Sequence, residues 1–428
     1  MDALADGLIA QPGPARPVLL GYSGGLDSTV LLALLAATPA LHGGLRAIHV
    51  DHGLHPDSTA WADHCRRCCA ALGVPLEVER VQVPRAGGSP EGDARSARHA
   101  AFARALRKGE VLALAHHADD QAETFLLRAL RASGPDGLAA MQSWRAHGAG
   151  WLWRPLLRQP RAALLAHAQR HGLHWIEDPS NADTTLDRNF LRRDVLPLLQ
   201  RRWPHAADAL ARSAGLCAEA SLLLQQDDAL ALEALRGRDP HVLDVAGLVP
   251  LPRERRARVL RAWIASLGLP PLPGNGVARI ESELLPAAGD AEAAFAWAGA
   301  RLRRWRQCLH AGVDVAPLPG DWHCEWDGAQ ALPIPGGGML RLEGASVFDA
   351  PLRARARRGG ERILLPGRAH RHALKHVLQA QGVPPWERER MPLLFGTGEE
   401  LLAAGDRVLA APLAAWLQAR RARLAWTP

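Results

Sequence analysis

The stretch Val18-Leu19-Leu20-Gly21-Tyr22-Ser23-Gly24-Gly25-Leu26-Asp27-Ser28-Thr29 constrains this chain more than any other. Val18 to Leu20 reads as a short buried strand, Ser23 to Ser28 as a tight turn, and the apolar run to Ala36 as a helix. That order predicts the first unit of an open parallel sheet. The paired glycines leave no Cβ between backbone and ligand. Amides of the turn and of the helix N-terminus then point at an anion, with the helix dipole behind them. The turn lacks the GK[ST] ending of a Walker A loop, so no Lys meets the phosphates. Asp27 adds negative charge instead, which suits a phosphate site only with a divalent cation between the two. Ser23, Gly24, Gly25, Leu26, Asp27 and Ser28 are therefore expected to cradle phosphates, with Asp27 on a metal; the alternative is an ordinary glycine-rich turn.

Strand and helix alternate up to about residue 200. Leu45–Val50, Leu76–Val81 and Val111–Ala115 read as strands, and Trp61–Leu72 and Ala94–Leu106 as helices. The spacing implies right-handed parallel βαβ units whose ligands bind at the carboxyl ends of the strands. The groups Ser23–Ser28, Asp51-His52 and His116–Asp120 each follow a strand, so they are expected on one edge. A length of 428 residues exceeds one ordinary core. We divide it into a catalytic α/β domain over 1–205, a mainly helical middle domain over 206–315 and a small basic α+β domain over 316–428. The middle has helices at Ala206–Leu235 and Arg253–Leu267, with Val259, Leu260, Trp263, Ile264 and Leu267 on one face, and strand-like character at Ala293–Leu309. Pro317–Asp321 reads as a linker.

A net charge of +7 and a pI near 9.6 suit a polyanionic partner. Nearly all of the basic residues are Arg, with Lys only at 108 and 375. No apolar run is long enough to span a membrane, and Met1–Asp6 carries no basic leader. Six cysteines in this length are no disulfide framework, so a cytoplasmic protein is expected. Cys65, Cys68 and Cys69 fall within an amphipathic helix. We read them as packing, with Trp61, Cys65, Cys68 and Leu72 on one apolar face, and expect neither zinc nor an iron–sulfur cluster.

His116-His117-Ala118-Asp119-Asp120-Gln121-Ala122-Glu123 ends a strand and opens a helix. Asp120 and Glu123 share a face. They have the form of a capping box, with Asp120 as the cap, and equally that of a carboxylate pair for a metal or an ammonium group. A histidine of the His116-His117 pair could move protons. Asp51-His52 either recognises a nucleotide or shapes a turn. Asp187 reads as a helix cap, with Arg188 and Arg192 one turn apart, a spacing suited to phosphate. Arg95 and Arg98 form either a second such pair or a solvated face. Between Arg353 and Lys375 eight basic residues stand against Glu361 alone, which supports an RNA surface; the alternative is a solvated basic loop. Trp386, beside two prolines, reads as a packed corner.

In order and spacing, Ser23–Ser28, Val50-Asp51-His52-Gly53-Leu54, Ala115–Leu127, Arg131-Ala132-Ser133-Gly134, Asp178-Pro179-Ser180-Asn181 and Arg188-Asn189-Phe190-Leu191-Arg192 resemble the bacterial tRNA(Ile)-lysidine synthases. These belong to the PP-loop ATP pyrophosphatases. Arg358–Arg362, Lys375 and Pro384–Arg388 resemble that family's carboxyl domain. Two positions depart: Ala132 stands where the family usually has Gly, and His99 where it usually has Tyr. The resemblance implies a PP-loop, Rossmann-like fold and ATP with Mg2+. The partners it implies are free L-lysine and tRNA(Ile) with a CAU anticodon, with a homodimer left open. ATP adenylates C2 of the wobble cytidine and lysine displaces AMP. Catalytic roles are implied for Asp27, His117, Asp120, Glu123, Arg188 and Arg192, nucleotide contacts for Ser23–Ser28, Asp51 and His52, and metal ligation for Asp27 and Asp119.

Overall fold

Three consecutive apolar residues with no surface exposed, Val18, Leu19 and Leu20, place β1 (Val18–Gly21) at the centre of a six-stranded sheet. The computed structural model describes residues 16–41, 44–53, 55–82, 90–287 and 293–427; Met1–Asp6 and Leu54, used above, lie outside them. The first unit, Met1–Gln226, continues through α1 (Leu26–Ala36), β2 (Leu45–Asp51), α2 (Ser58–Ala71), β3 (Leu76–Arg80), α3 (Pro90–Ala105), β4 (Val111–Ala113) and α4 (Ala118–Leu130). There follow β5 (Trp144–His147), β6 (Gly150–Trp153), α5 (Arg161–Arg170) and a helical stretch from Asp187 to Arg202. The sheet order is β3-β2-β1-β4-β6-β5. All pairings are parallel except that of the hairpin strand β5 with β6.

Alternation along β1 fills two cores. Val18 and Leu20 pack with α1, α2 and α5, while Leu19 packs with Phe102 and Leu106 beside Ile48, Leu112 and Leu152. The strand order reverses between β1 and β4. That is where an open sheet splays its connections apart and leaves a crevice.

Two local expectations change. The buried stripe of α2 is Ala62, Cys65 and Cys69, not Trp61, Cys65, Cys68 and Leu72. Leu72 lies past the last turn and is exposed, and Trp61 stacks on His55. The stretch after Asp187 is not one regular helix: Asp187–Phe190 leads into a π turn, Leu191–Val195, before Leu196–Arg202. Its cap position is Leu186, so Asp187 is the first helical residue rather than the cap.

The second unit is Asp227–Pro428. With α6 (Ala206–Leu235) and α7 (Arg253–Ser266), four antiparallel strands order as β7-β10-β9-β8: β7 (Val242–Asp244), β8 (Ala294–Trp297), β9 (Ala300–Trp305) and β10 (Cys308–Val313). Val259, Leu260, Trp263 and Ile264 of α7 are buried as the periodicity predicts. Beyond residue 316 a sheet runs through His323–Trp326, Leu352–Arg355, Leu393–Phe395 and Leu401–Ala404. Trp386 is a packed corner: its ring lies 5.1 Å from His310 and 6.4 Å from Trp305, under the Arg303 guanidinium at 5.0 Å.

Candidate active site

The turn after β1 is held by its own hydroxyls. Ser28 Oγ donates to Gly25 O at 3.0 Å and lies 3.0 Å from Ser23 Oγ, and Thr29 Oγ1 donates to Gly24 O at 3.3 Å. Gly24 has φ +84°, and a Cβ there would lie 2.7 Å from Ile176 Cδ1 and 2.9 Å from Cys65 Sγ. Only glycine fits. Gly25 caps α1 without any side-chain hydrogen bond, which leaves the first-turn amides to an outside acceptor.

Asp27, in that first turn, faces the second loop. Its Oδ2 is 3.6 Å from His117 Nε2. Its Oδ1 is buried with no hydrogen-bond partner among the described residues, and the Arg161 Nε near it stands off at 3.9 Å. A buried carboxylate oxygen short of a donor suits a hard cation. Among the described residues no group of three or more His, Cys, Asp or Glu could hold a metal ion. A magnesium ion therefore fits here only if phosphate oxygens complete its shell, as is usual for that ion.

The loop after β4 is built from buried charge. His117, not Asp120, is the cap of α4. The Asp120 amide donates to His117 Nδ1 at 3.4 Å and the His117 amide to Asp120 Oδ2 at 3.1 Å, a reciprocal box shifted three residues from the expected one. An imidazole nitrogen performs the task usually given to a hydroxyl or carboxylate. Burial pushes the His117 pKa down, but Asp119, Asp27 and Asp120 outweigh it and hold the value at about 10. The carboxylates thus favour the charged ring, and charging it gives up the cap, because a protonated Nδ1 cannot accept from the Asp120 amide.

Asp119 Oδ2 accepts from the Arg161 amide at 2.8 Å and so ties the start of α5 to the site. Asp120 and Glu123 converge on one guanidinium. Arg192 Nε meets Glu123 Oε1 at 2.6 Å, and its Nη2 reaches Glu123 Oε2 at 3.1 Å and Asp120 Oδ1 at 3.0 Å. Burial pushes the fully buried Glu123 carboxyl above its ordinary value, against the pull of Arg192. Among the described residues Arg188 reaches only Thr124 Oγ1, at 3.4 Å. The two arginines read from sequence as a phosphate pair are thus held differently: Arg192 is bound to carboxylates, and Arg188 makes a single weak contact.

Asp51 and His52 lie at the end of β2. Asp51 accepts from the Gly53 amide at 2.8 Å, and Arg80 Nε is 3.8 Å from its carboxylate. His52 Nδ1 is buried without a partner, and burial, then Arg98, depress its pKa, which keeps the ring neutral. Among the described residues no hydrogen bond or ion pair joins these two to the other loops. All three groups follow parallel strands; only the first and third touch.

Sequence reasoning missed Arg154 and Arg161. Both follow the apolar run Trp151-Leu152-Trp153, itself a strand-end signal like those already used. Cys65 and Cys69 are buried, and burial pushes both thiols up to about 12, which keeps them protonated.

Comparison with known proteins matches residues 5–199 to the PP-loop domain, 243–310 to the TilS substrate binding domain and 352–426 to the TilS substrate C-terminal domain. The tRNA(Ile)-lysidine synthase of Xanthomonas axonopodis pv. citri is 59% identical over 418 residues, covering 96% of this chain and 94% of its own. The chain belongs to the tRNA(Ile)-lysidine synthase family. The lysidine synthase of Yersinia pseudotuberculosis is 41% identical over 94% of this chain and 92% of its own, and that of Methylococcus capsulatus is 39% identical over 97% of each. Among solved structures, a U34-tRNA thiolase from Methanococcus maripaludis covers 50% of this chain and 78% of its own at 19% identity and TM-score 0.43. An isolated TilS C-terminal domain covers 21% and 82% at 22% identity and TM-score 0.19. Neither likeness bears on function at those scores. The PP-loop of a lysidine synthase uses ATP, and here its glycine turn stands at the switch point of the sheet.

Proposed function

We propose that this chain makes lysidine by dividing the work between its two contacting loops. The observation that carries this reading is the 3.6 Å approach of Asp27 to His117, which joins a phosphate cradle to a charged pocket. ATP binds with its phosphates on the amides of Ser23–Ser28. Asp27, with Asp119 across the His117 ring from it, would hold Mg2+, which would offset phosphate charge and help pyrophosphate to leave. The His117 ring, when charged, adds positive charge on the same side. The C2 oxygen of the wobble cytidine attacks the α-phosphorus and pyrophosphate departs. An amine of free L-lysine then attacks C2 and loses a proton, and AMP leaves with the oxygen.

Asp120 and Glu123 receive the ammonium end of lysine. It competes there with Arg192, and Glu123, whose proton affinity is raised by burial, is the better placed base. Arg188 and the displaced Arg192 steady phosphate, and Asp51 and His52 contribute to holding the nucleotide. We assign tRNA(Ile) with a CAU anticodon as the RNA, so that the product reads AUA in place of AUG. The catalytic domain is taken as 1–205, the middle as 206–315 and the tRNA-binding domain as 316–428. In the last, Arg358, Arg362, Arg368, Arg371 and Lys375 are exposed.

No helix among the described residues is long and apolar enough to cross a membrane, and all six cysteines are free thiols; we place the reaction in the cytoplasm. Protonated, packed thiols at Cys65 and Cys69 speak against a thiolase reading. The test is incubation of the protein with ATP, labelled lysine and an isoleucine-tRNA transcript. Label entering the tRNA with equivalent pyrophosphate supports the reading; ATP binding without label transfer overturns it.

A further inference from the structure

One concavity of the first unit, lined by charged side chains, does not include the glycine turn. It has a volume of about 1640 Å³ and is walled by α3, α4, the β5–β6 hairpin and the first half of α6. Neither Ser23–Ser28 nor Asp27 touches it, so it is separate from the ATP cradle. From α4 it takes Ala118, Gln121 and Arg128, the helix face next to the one that carries Asp120 and Glu123.

Arg154 is the unusual member of its wall. The residue directly follows β6, beside the carboxyl end of β4, and is only 5% exposed. Its Nε donates to His116 Nδ1 at 3.2 Å and its Nη1 to Gln142 O at 2.7 Å. Among the described residues Nη2 makes no hydrogen bond and no carboxylate pairs with this guanidinium. Arg128 likewise spends its donors on the carbonyls of Gly137 and Ala140. Arg95 and Arg145 line the same space. Asp136, Asp208 and Glu219 line it too, and none forms an ion pair with Arg154 or Arg128. Burial, then repulsion from Arg145, Arg95 and Arg128, draws the Arg154 pKa down to about 10. Trp144 adds an aromatic wall stacked on Trp151.

A buried guanidinium that lacks an acid is costly unless an anion arrives to pair with it. We propose that this cavity seats the phosphodiester backbone of the RNA segment next to the reacting cytidine, with Arg154 holding one phosphate beside His116. The cavity is larger than usual for a small-molecule site, and cations with an aromatic ring are the parts that a single strand needs. The assignment rests on the lysidine synthase reading above, in which the anion is RNA and the target base reacts beside α4.

The test measures affinity for the tRNA transcript against salt, together with KM values for tRNA, ATP and lysine, in Arg154→Gln, Arg154→Lys and Arg145→Gln. Arg145 is exposed on the rim, so its variant checks the site without disturbing folding. Arg154→Gln should raise the tRNA KM about tenfold and lower the salt slope by about 0.7, the share of one phosphate on a single strand. Arg154→Lys should keep most of the slope, and Arg145→Gln should show a smaller loss of the same kind. KM for ATP and for lysine should not move. Unchanged tRNA affinity and slope in both Arg154→Gln and Arg145→Gln would overturn the inference, as would a rise in the ATP KM alone, which would assign the cavity to polyphosphate. Wild-type protein that transfers no lysine would instead overturn the functional reading, whatever these variants do.

Discussion

The two loops that meet at Asp27 and His117 are made of opposite materials. The turn after β1 offers backbone: a left-handed glycine, uncapped amides and hydroxyls that tie the turn to itself. The loop after β4 offers side chains, a buried histidine and carboxylates that hold one another and a distant arginine. A backbone cradle is indifferent to what lies beyond the phosphates, whereas a charged pocket selects by charge and shape. Activation can therefore be shared across a superfamily while the nucleophile is chosen locally.

The sharpest break of that division is Asp27→Ala. It should lower pyrophosphate release about 10³-fold, within the range for loss of a charge-stabilising group, and leave tRNA affinity near wild type. Full turnover in this variant would remove Asp27 from the metal site. Glu123→Gln should slow lysine transfer about 10²-fold and raise the lysine KM, while pyrophosphate release continues. If both steps fall equally, the loops act as one unit and the division is wrong.

A smaller effect separates the loops from the carboxyl sheet. Arg358→Ala with Arg362→Ala should weaken tRNA binding and reduce the magnitude of its salt slope by about one to two. The pyrophosphate released per bound tRNA should not change. An unaltered slope would locate RNA binding elsewhere.

The charged loop should also respond to acid in a way that the glycine turn does not. Burial, with Arg154, Arg95 and Arg188 nearby, depresses the His116 pKa to about 3, from 6.5 when exposed. A depressed value stabilises the fold above pH 6.5, and that stability is lost as pH falls toward 3. His116→Gln should therefore flatten the decline of Tm between pH 6.5 and 4; an unchanged decline would mean that other groups govern it.

The mildest change lies where α4 ends. Ala132 has φ +53°, and the Ser133 amide closes back on Arg128 O at 3.1 Å, a turn that prefers glycine at that position. Ala132→Gly should stabilise the protein by about 1 kcal/mol, read as a rise in Tm of about a degree or two for a chain of this length. A fall in Tm would show that Ala132 is packed rather than strained.

The glycine turn was legible because its geometry is written in consecutive residues: no other sequence supplies a left-handed position, a close approach and a helix start in six letters. The sheet was legible for a similar reason, through strand-length apolar runs separated by helices. The charged loop was legible only as an inventory. That Arg192 would bridge Asp120 and Glu123, or that Arg161 would fix Asp119, depends on contacts across about seventy and forty residues of chain. Periodicity is silent on such contacts. The capping box was misread by three residues because histidine is an uncommon cap. The α2 stripe was misread because four apolar residues fit two rotations of a short helix. The four-stranded sheet of the middle region showed only as strand-like character near Ala293–Leu309, its first strand being three residues long.

The π turn at Leu191–Val195 carries one residue more than an ordinary turn. Leu191 and Leu196, five apart, are both buried, a spacing that regular winding would set roughly 140° apart. The surplus residue lets both leucines face inward while Arg192 faces α4. Chain length is thus a functional variable at this point. Losing a single codon between 193 and 195 would keep every residue proposed as catalytic in the gene and still turn the helix that carries Arg192.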